Sequence, residues 1–175
     1  MNFHRLDLAL VCFFDILGFR SLVTAPGDRE PTARRLNRVM ERALEAFGGK
    51  RLLKGKDGEW RIRVFSDCIV LAKPLTELGV CVTLDASAQF VQEMLAEGFP
   101  IRGGIEIGPY IETDFLLFSE AQIAAYDLES QVAKQPRVLV SLTFLRCLDL
   151  ITDDEFRWLA KELLIMDSDG QVFLN

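Results

Sequence analysis

The stretch Leu8-Ala-Leu-Val-Cys-Phe-Phe-Asp-Ile-Leu-Gly-Phe19 decides how the rest of the chain is read. Leu8 to Phe14 is an unbroken apolar run, far short of the roughly 18 residues that a membrane helix needs. Its length suits a strand buried on both faces, the pattern expected at the middle of a sheet. Asp15 ends the run abruptly, and Gly18 supplies a turn just after it.

Working outward, Pro31 opens a helix to about Phe47, because Leu36, Val39, Met40, Leu44 and Phe47 recur at helical spacing. Arg34, Arg38 and Arg42 lie on its other face, a solvated row diluted by Glu30, Glu41 and Glu45. Gly48-Gly49 closes the helix. Lys50 to Gly58 reads as a basic, glycine-bearing loop. Trp60 to Phe65 alternates like a half-buried strand, Ser66-Asp67 interrupts it, and Cys68 to Ala72 continues, which is a hairpin with an acid at its tip. Leu78 to Leu95 is a second long helix. Phe99 to Gly108 is a third strand region, and Tyr110 to Phe118 a fourth. Ser119-Glu-Ala-Gln122 fits a capping box for a helix to about Ala133, and Arg137 to Ser141 is a strand. Thr152-Asp-Asp-Glu155 fits a second capping box, for a helix to about Leu163. A last strand pair near Leu164 and Val172 flanks Asp169-Gly170. The expected fold is α+β: a ferredoxin-like βαββαβ core sheet with helices on one face and a C-terminal helix/strand addition, in a single domain spanning 1–175.

Composition narrows the function classes. Half of the 175 residues are hydrophobic, enough to cover a subunit interface as well as a core. The net charge of −6 argues against a general nucleic-acid binder. Cys12, Cys68, Cys81 and Cys147 are scattered without metal spacing, and His4 is the single histidine, so a zinc site is not expected. Cysteines inside apolar runs behave as small hydrophobes. The expectation is a soluble, cytoplasmic protein without a membrane segment or cleavable signal.

In the βαββαβ topology the end of the first strand and the tip of the hairpin fall at one edge of the sheet. Asp15 and Asp67 are therefore neighbours, and two adjacent carboxylates repel unless a proton or a cation is shared. Oxygen ligands favour Mg²⁺ or Mn²⁺, and a pair of such ions can clamp both the attacking and the leaving oxygen of a phosphoryl displacement. Successive backbone amides at Leu17, Gly18 and Phe19 would form an anion nest beside them.

Four segments then carry a resemblance. Phe14-Asp-Ile-Leu-Gly-Phe19 resembles the first metal motif of class III nucleotidyl cyclases, F-x-D-I-x-G-F, and Phe65-Ser-Asp-Cys-Ile-Val-Leu-Ala72 resembles the second. Ile101-Arg-Gly-Gly-Ile-Glu-Ile-Gly108 is similar to the R-x-G-I-x-x-G strand. Ser119 to Glu129 stands where the family has its G-x-x-x-N-x-A-x-R-L-E helix, with Ala125, Leu128 and Glu129 in register. Within the family, the chain is most similar to the pyrimidine cyclases of bacterial Pycsar anti-phage systems, through Ala125-Tyr-Asp-Leu-Glu-Ser-Gln-Val-Ala-Lys-Gln-Pro-Arg137.

The resemblance implies an enzyme that converts a pyrimidine nucleoside triphosphate, UTP or CTP, into a 3′,5′-cyclic nucleotide sensed by a downstream effector. The same resemblance places Arg63 at the base-choice position, where donors to pyrimidine carbonyls would favour UTP, and Trp60 where it could stack on the base. It implies two Mn²⁺ or Mg²⁺ ions per site, held by Asp15, Asp67 and the carbonyl of Ile16, and a head-to-tail homodimer. Leu17, Gly18, Phe19, Trp60, Arg63, Arg102 and Arg137 are the implied nucleotide contacts, and Leu116 falls near Arg63's partner in base choice. The chain departs from the family at Ile123 and Asp127, where ordinary purine cyclases carry an asparagine and an arginine that stabilise the transition state, and at Ser119, which replaces a glycine. Arg137, Lys134, Arg102, Lys54 and Lys56 are candidates to supply the missing cation. The rival reading is a degenerate cyclase-homology domain serving as a nucleotide sensor or dimerisation module.

Overall fold

The computed structural model describes residues 3–48 and 60–175. The basic loop expected at Lys50 to Gly58, with Lys54 and Lys56, lies outside them. The elements are β1 (Phe3–Ile16), α1 (Phe19–Thr24), α2 (Glu30–Ala43) with a 3₁₀ turn (Leu44–Phe47), β2 (Arg61–Phe65), β3 (Cys68–Pro74) and α3 (Glu77–Ala96). Then follow β4 (Ile101–Thr113), β5 (Leu117–Phe118), α4 (Glu120–Asp127) with a π turn (Leu128–Val132), β6 (Val138–Val140), α5 (Leu142–Leu148), α6 (Asp154–Glu162), β7 (Leu164–Met166) and β8 (Val172–Leu174).

All described strands join one mixed sheet in the order β2-β3-β1-β4-β6-β8-β7, with β5 paired to β4. β1 is central, antiparallel to β3 on one side and to β4 on the other, while β6 runs parallel to β4. Ala9 to Phe14 of its apolar run are buried on both faces, as a central strand requires, while Leu8 at the start is exposed. Leu10, Cys12, Phe14 and Ile16 face the long helices α2 and α3, where Phe14 stacks on Phe90 at 5.2 Å between ring centroids. Ala9, Val11 and Phe13 point the other way, onto Val70, Ala72 and Tyr110, and α4 covers them with Ala121 and Ala125. The expected βαββαβ core is present, with α2 and α3 on one face, and α4 lies on the opposite face.

Three local expectations are corrected. The third strand region and the first part of the fourth are one strand, β4, which continues through Gly108-Pro109 to Thr113, while Leu117–Phe118 at the end of the fourth region is a separate strand, β5, that pairs back onto Ile111 and Glu112. Leu6 pairs with Tyr110 and Ala9 with Gly108, so Asp7 and Leu8 together oppose Pro109. That bulge leaves the ring, which has no N–H, outside the ladder. The cap of α6 is Asp153, whose carboxylate accepts from the amides of Glu155 and Phe156, and not Thr152, whose hydroxyl donates to Glu77 at 2.8 Å. Helices α1 and α5 were not expected. α5 is capped by Ser141, which accepts from Phe144 N, with Phe144 and Leu148 buried one turn apart.

Ser119 behaves as expected at the start of α4. It accepts from the amide of Gln122 at 3.2 Å and also donates to Pro109 O at 2.7 Å, tying the helix to β4. Losing both bonds in Ser119→Ala is expected to cost about 1–2 kcal/mol, measured as a shift in the urea midpoint at constant slope. The four cysteines are free, and among the described residues no helix is long and apolar enough to cross a membrane.

Candidate metal and nucleotide site

Asp15 is the second-last residue of β1, flanked in register by Cys68 on β3 and Arg102 on β4. Asp67 stands in the tight turn between β2 and β3, where Phe65 pairs with Cys68. The turn puts Ser66 at φ 58, a left-handed conformation that side chains rarely adopt. The amide of Ile16 donates to the carbonyl of Asp67 at 3.1 Å, so the hairpin tip is fastened to the end of β1.

This stitching brings the two acids together. One ligand atom each from Asp15, Asp67 and Cys68 lies within 4.8 Å of the others, and the Cys68 Sγ is 3.9 Å from both carboxylates. Burial, then the charges of Asp67 and Asp15, pushes the Cys68 thiol up to about 12, so it is a neutral neighbour at physiological pH. Two half-buried carboxylates are a hard, oxygen-rich donor set suited to Mg²⁺ or Mn²⁺. Among the described residues no other group of three such donors converges in this way.

Burial lifts the Asp15 carboxyl above its ordinary value, the charges of Glu129 and then Asp67 add to the effect, and Arg102 opposes it. A raised folded value means that ionised Asp15 opposes folding. The penalty is full above that value, shrinks as pH falls through it, and vanishes below the unfolded value. Asp15→Asn is therefore expected to raise the Tm of the metal-free protein at pH 7, a result that scans in a chelating buffer would read directly.

The other site residues inferred from sequence divide into two groups. Ile16, Leu17, Gly18 and Phe19 follow Asp15 directly, with Gly18 at φ 79 before the first turn of α1. The amides of Gly18 and Phe19 begin that turn, where N–H groups lack helical partners. Leu17 does not share this geometry, since its amide donates to Pro100 O at 3.0 Å. Arg102 lies on the same sheet face as Asp15, with its guanidinium bonded to Glu129.

Three residues fall elsewhere. Trp60 packs edge-on to Phe47 at 5.0 Å, with the Lys73 ammonium 4.8 Å from its ring centre, on the α2/α3 face of the sheet and away from the acids. Arg63 is on the acids' face, but its Nε donates to the buried carboxylate of Glu112 at 2.5 Å and another N–H to Thr113 O, which ties it to the C-terminal end of β4. Arg137 is buried and grips Asp167 and Asp169 of the β7–β8 turn. It acts as a clamp on the C-terminal hairpin. Glu129 and Cys68 were not among the site residues expected, although Glu129 ends the motif quoted above.

No protein-family model matches the sequence, and no curated protein does. Solved structures match its fold along nearly the whole chain. The monomeric guanylyl cyclase domain of the RhoGC fusion protein from the aquatic fungus Blastocladiella emersonii superposes with a TM-score of 0.66 at 14% identity, over 99% of this chain and 96% of that one. The guanylyl cyclase Cya2 gives a TM-score of 0.61 at 11% identity, over 99% and 93% of the two chains. A class III adenylyl cyclase-like ATP-binding protein from Pseudomonas aeruginosa gives 0.52 at 17% identity, over 89% of this chain and 37% of that one. The fold is that of a class III cyclase catalytic domain.

Proposed function

We propose that this chain, built on the class III cyclase fold, is a nucleotidyl cyclase that closes a pyrimidine nucleoside triphosphate, UTP in preference to CTP, into its 3′,5′-cyclic monophosphate and releases pyrophosphate. The observation that carries the reading is the convergence of Asp15 and Asp67 within 4.8 Å at one end of the central strand. Asp15, Asp67 and the carbonyl of Ile16 would hold two divalent ions, Mn²⁺ or Mg²⁺. The chemistry supplied by ions bound there would be a lowered pKa for the ribose 3′-hydroxyl and neutralisation of the leaving phosphates.

The chain's own groups do the rest. Gly18 and Phe19 offer amides to the triphosphate, and their turn lets the backbone approach it closely. Arg102, directly opposite Asp15 in the β1–β4 ladder, offers a cation to the same phosphates. The rigid pairing of β1 with β3 and β4 keeps the acids in place while charge moves from the attacking oxygen to the leaving one.

The pyrimidine choice and a role in anti-phage signalling through a cyclic-nucleotide effector rest on the Ala125 to Arg137 resemblance. A homodimer is supported by the apolar surface around α4 and the hairpin, where Phe65, Phe118, Ile123 and Tyr126 are exposed. The test is direct: incubate the purified protein with each of the four nucleoside triphosphates and Mn²⁺, and separate the products. Cyclic UMP as the main product supports the reading. Cyclic CMP or a cyclic purine nucleotide would overturn the base preference alone.

A nucleotide sensor is the second reading, favoured by the side chains that replace the family's transition-state pair. Ile123 is an exposed apolar residue, and Asp127 is an acid bonded to Gln131 at 2.8 Å. Tight nucleotide binding without any cyclic product from the four substrates would establish the sensor and sink the enzyme.

A further inference from the structure

Resting on the reading above, we infer that Glu129 is a positioning residue that holds Arg102 beside the metal acids and prevents it from neutralising Asp15. Arg102 and Asp15 are direct cross-strand partners on one face of the sheet, so their side chains are close enough to pair. They do not pair. The Arg102 guanidinium turns instead to Glu129, donating from Nε at 2.5 Å and from Nη2 to the same Oε1.

Glu129 is only 3% exposed. A buried carboxylate is costly unless it is paired, and here the fork of Arg102 pairs it. Helix geometry explains how an acid arrives there. α4 opens into a π turn at Leu128–Val132, a widening that is rare and often functional, which carries Glu129 towards the sheet. The helix sits so close to β4 that a Cβ on Gly104 would lie 2.2 Å from the Ala125 carbonyl oxygen. Both partner charges are felt at Asp15, Glu129 raising its pKa and Arg102 lowering it.

The arrangement separates two roles. Asp15 keeps its negative charge for a cation, and the Arg102 side chain, about a quarter exposed (26%), remains at the site's rim for a phosphate. Without Glu129 the guanidinium would fall onto Asp15, its register partner, and compete with the ion. Asp167 and Asp169 hold Arg137 away from this position, so it does not substitute.

The experiment is a Mn²⁺ titration of the full chain by electron paramagnetic resonance, with folding checked by circular dichroism. Glu129→Ala is expected to weaken Mn²⁺ binding about 10-fold, in the range seen when a ligand's supporting partner is removed. The double variant R102A/E129A is expected to recover affinity close to the wild type, because the competing cation is gone. A purely structural role for Glu129 predicts no such recovery. Glu129→Gln, which keeps the shape and an acceptor oxygen, should fall between the wild type and Glu129→Ala, and it carries the test if the alanine variant does not fold. Unchanged Mn²⁺ affinity in a folded Glu129 variant, or a double variant as weak as the single one, overturns the inference. The cyclase reading fails separately, if the wild type binds Mn²⁺ but cyclises none of the four triphosphates. A wild type that binds no Mn²⁺ at all overturns both.

Discussion

Asp15→Asn and Asp67→Asn are each expected to lower kcat/KM on the order of 10³-fold or more, with the protein still folded. The magnitude follows from the role assigned to them, since metal stabilisation of transition-state charge amounts to several kcal/mol and each ~1.4 kcal/mol is a factor of ten. The two carboxylates come from different elements, the end of β1 and the β2–β3 turn, and they converge within 4.8 Å. Neither has a spare acid nearby to replace it, because Glu129 is committed to Arg102 and Cys68 is a neutral thiol. The two losses should not add: once one side of the bridge is gone, removing the other costs little more. Initial rates of pyrophosphate release for both single variants and the double variant check this. A single variant that retains a tenth of wild-type turnover would remove the acids from the mechanism. The stability readout moves in the opposite direction, as relief of the burial of a charged carboxylate, and then of its repulsion by Glu129 and Asp67, raises the metal-free Tm. Loss of activity together with gain of stability is the signature of a site held under electrostatic strain.

Gly104→Val is expected to be the most destabilising single substitution on the sheet face under α4. A Cβ there would meet the Ala125 carbonyl oxygen at 2.2 Å and the Leu128 Cβ at 2.8 Å, distances that no rotamer relieves because the first obstacle is backbone. The helix must lift, and with it the Ala121 and Ala125 methyls that cover Val11 and Phe13. Overpacking of this severity costs about 3 kcal/mol, which for a chain of this length lowers Tm by roughly 6–12 °C. Gly108→Ala is the internal control. Its Cβ would sit 3.1 Å from the Ala121 Cβ, a contact between side chains that a small shift absorbs, so its effect should be much milder. Thermal melts of the two variants side by side decide the matter, and equal melting points would show that α4 is not pressed onto β4. Because Glu129 rides on the same helix, Gly104→Val should also weaken Mn²⁺ binding in whatever fraction remains folded.

Much of the fold was legible from local pattern. The unbroken run Leu8 to Phe14 marked the central strand because burial of Ala9 to Phe14 on both faces leaves no polar position there. The alternation of Trp60 to Phe65 and the interruption at Ser66-Asp67 marked the hairpin. Spacing in Leu36 to Phe47 marked α2, and the Ser119 cap marked α4. What escaped was short or depended on a partner. α5 spans only seven residues, Leu142–Leu148, and too few turns exist there for a period to stand out. Gly108-Pro109 looked like a strand end, and nothing within β4 itself indicates that a bulge in β1 would accommodate the proline.

The acids at residues 15 and 67 could be named from the chain alone, because each ends or interrupts an apolar run and a single topology brings both to one sheet edge. The roles of the cations could not be assigned in this way. Arg63, Arg102 and Arg137 are equivalent letters in a strand pattern, and the folded chain commits each to a different carboxylate: Glu112, Glu129, and the pair Asp167 and Asp169. These partners lie 27 or more positions away from their arginines. A long flexible side chain takes whichever buried acid the sheet register and helix packing bring within reach, and that choice is made by the assembled tertiary structure.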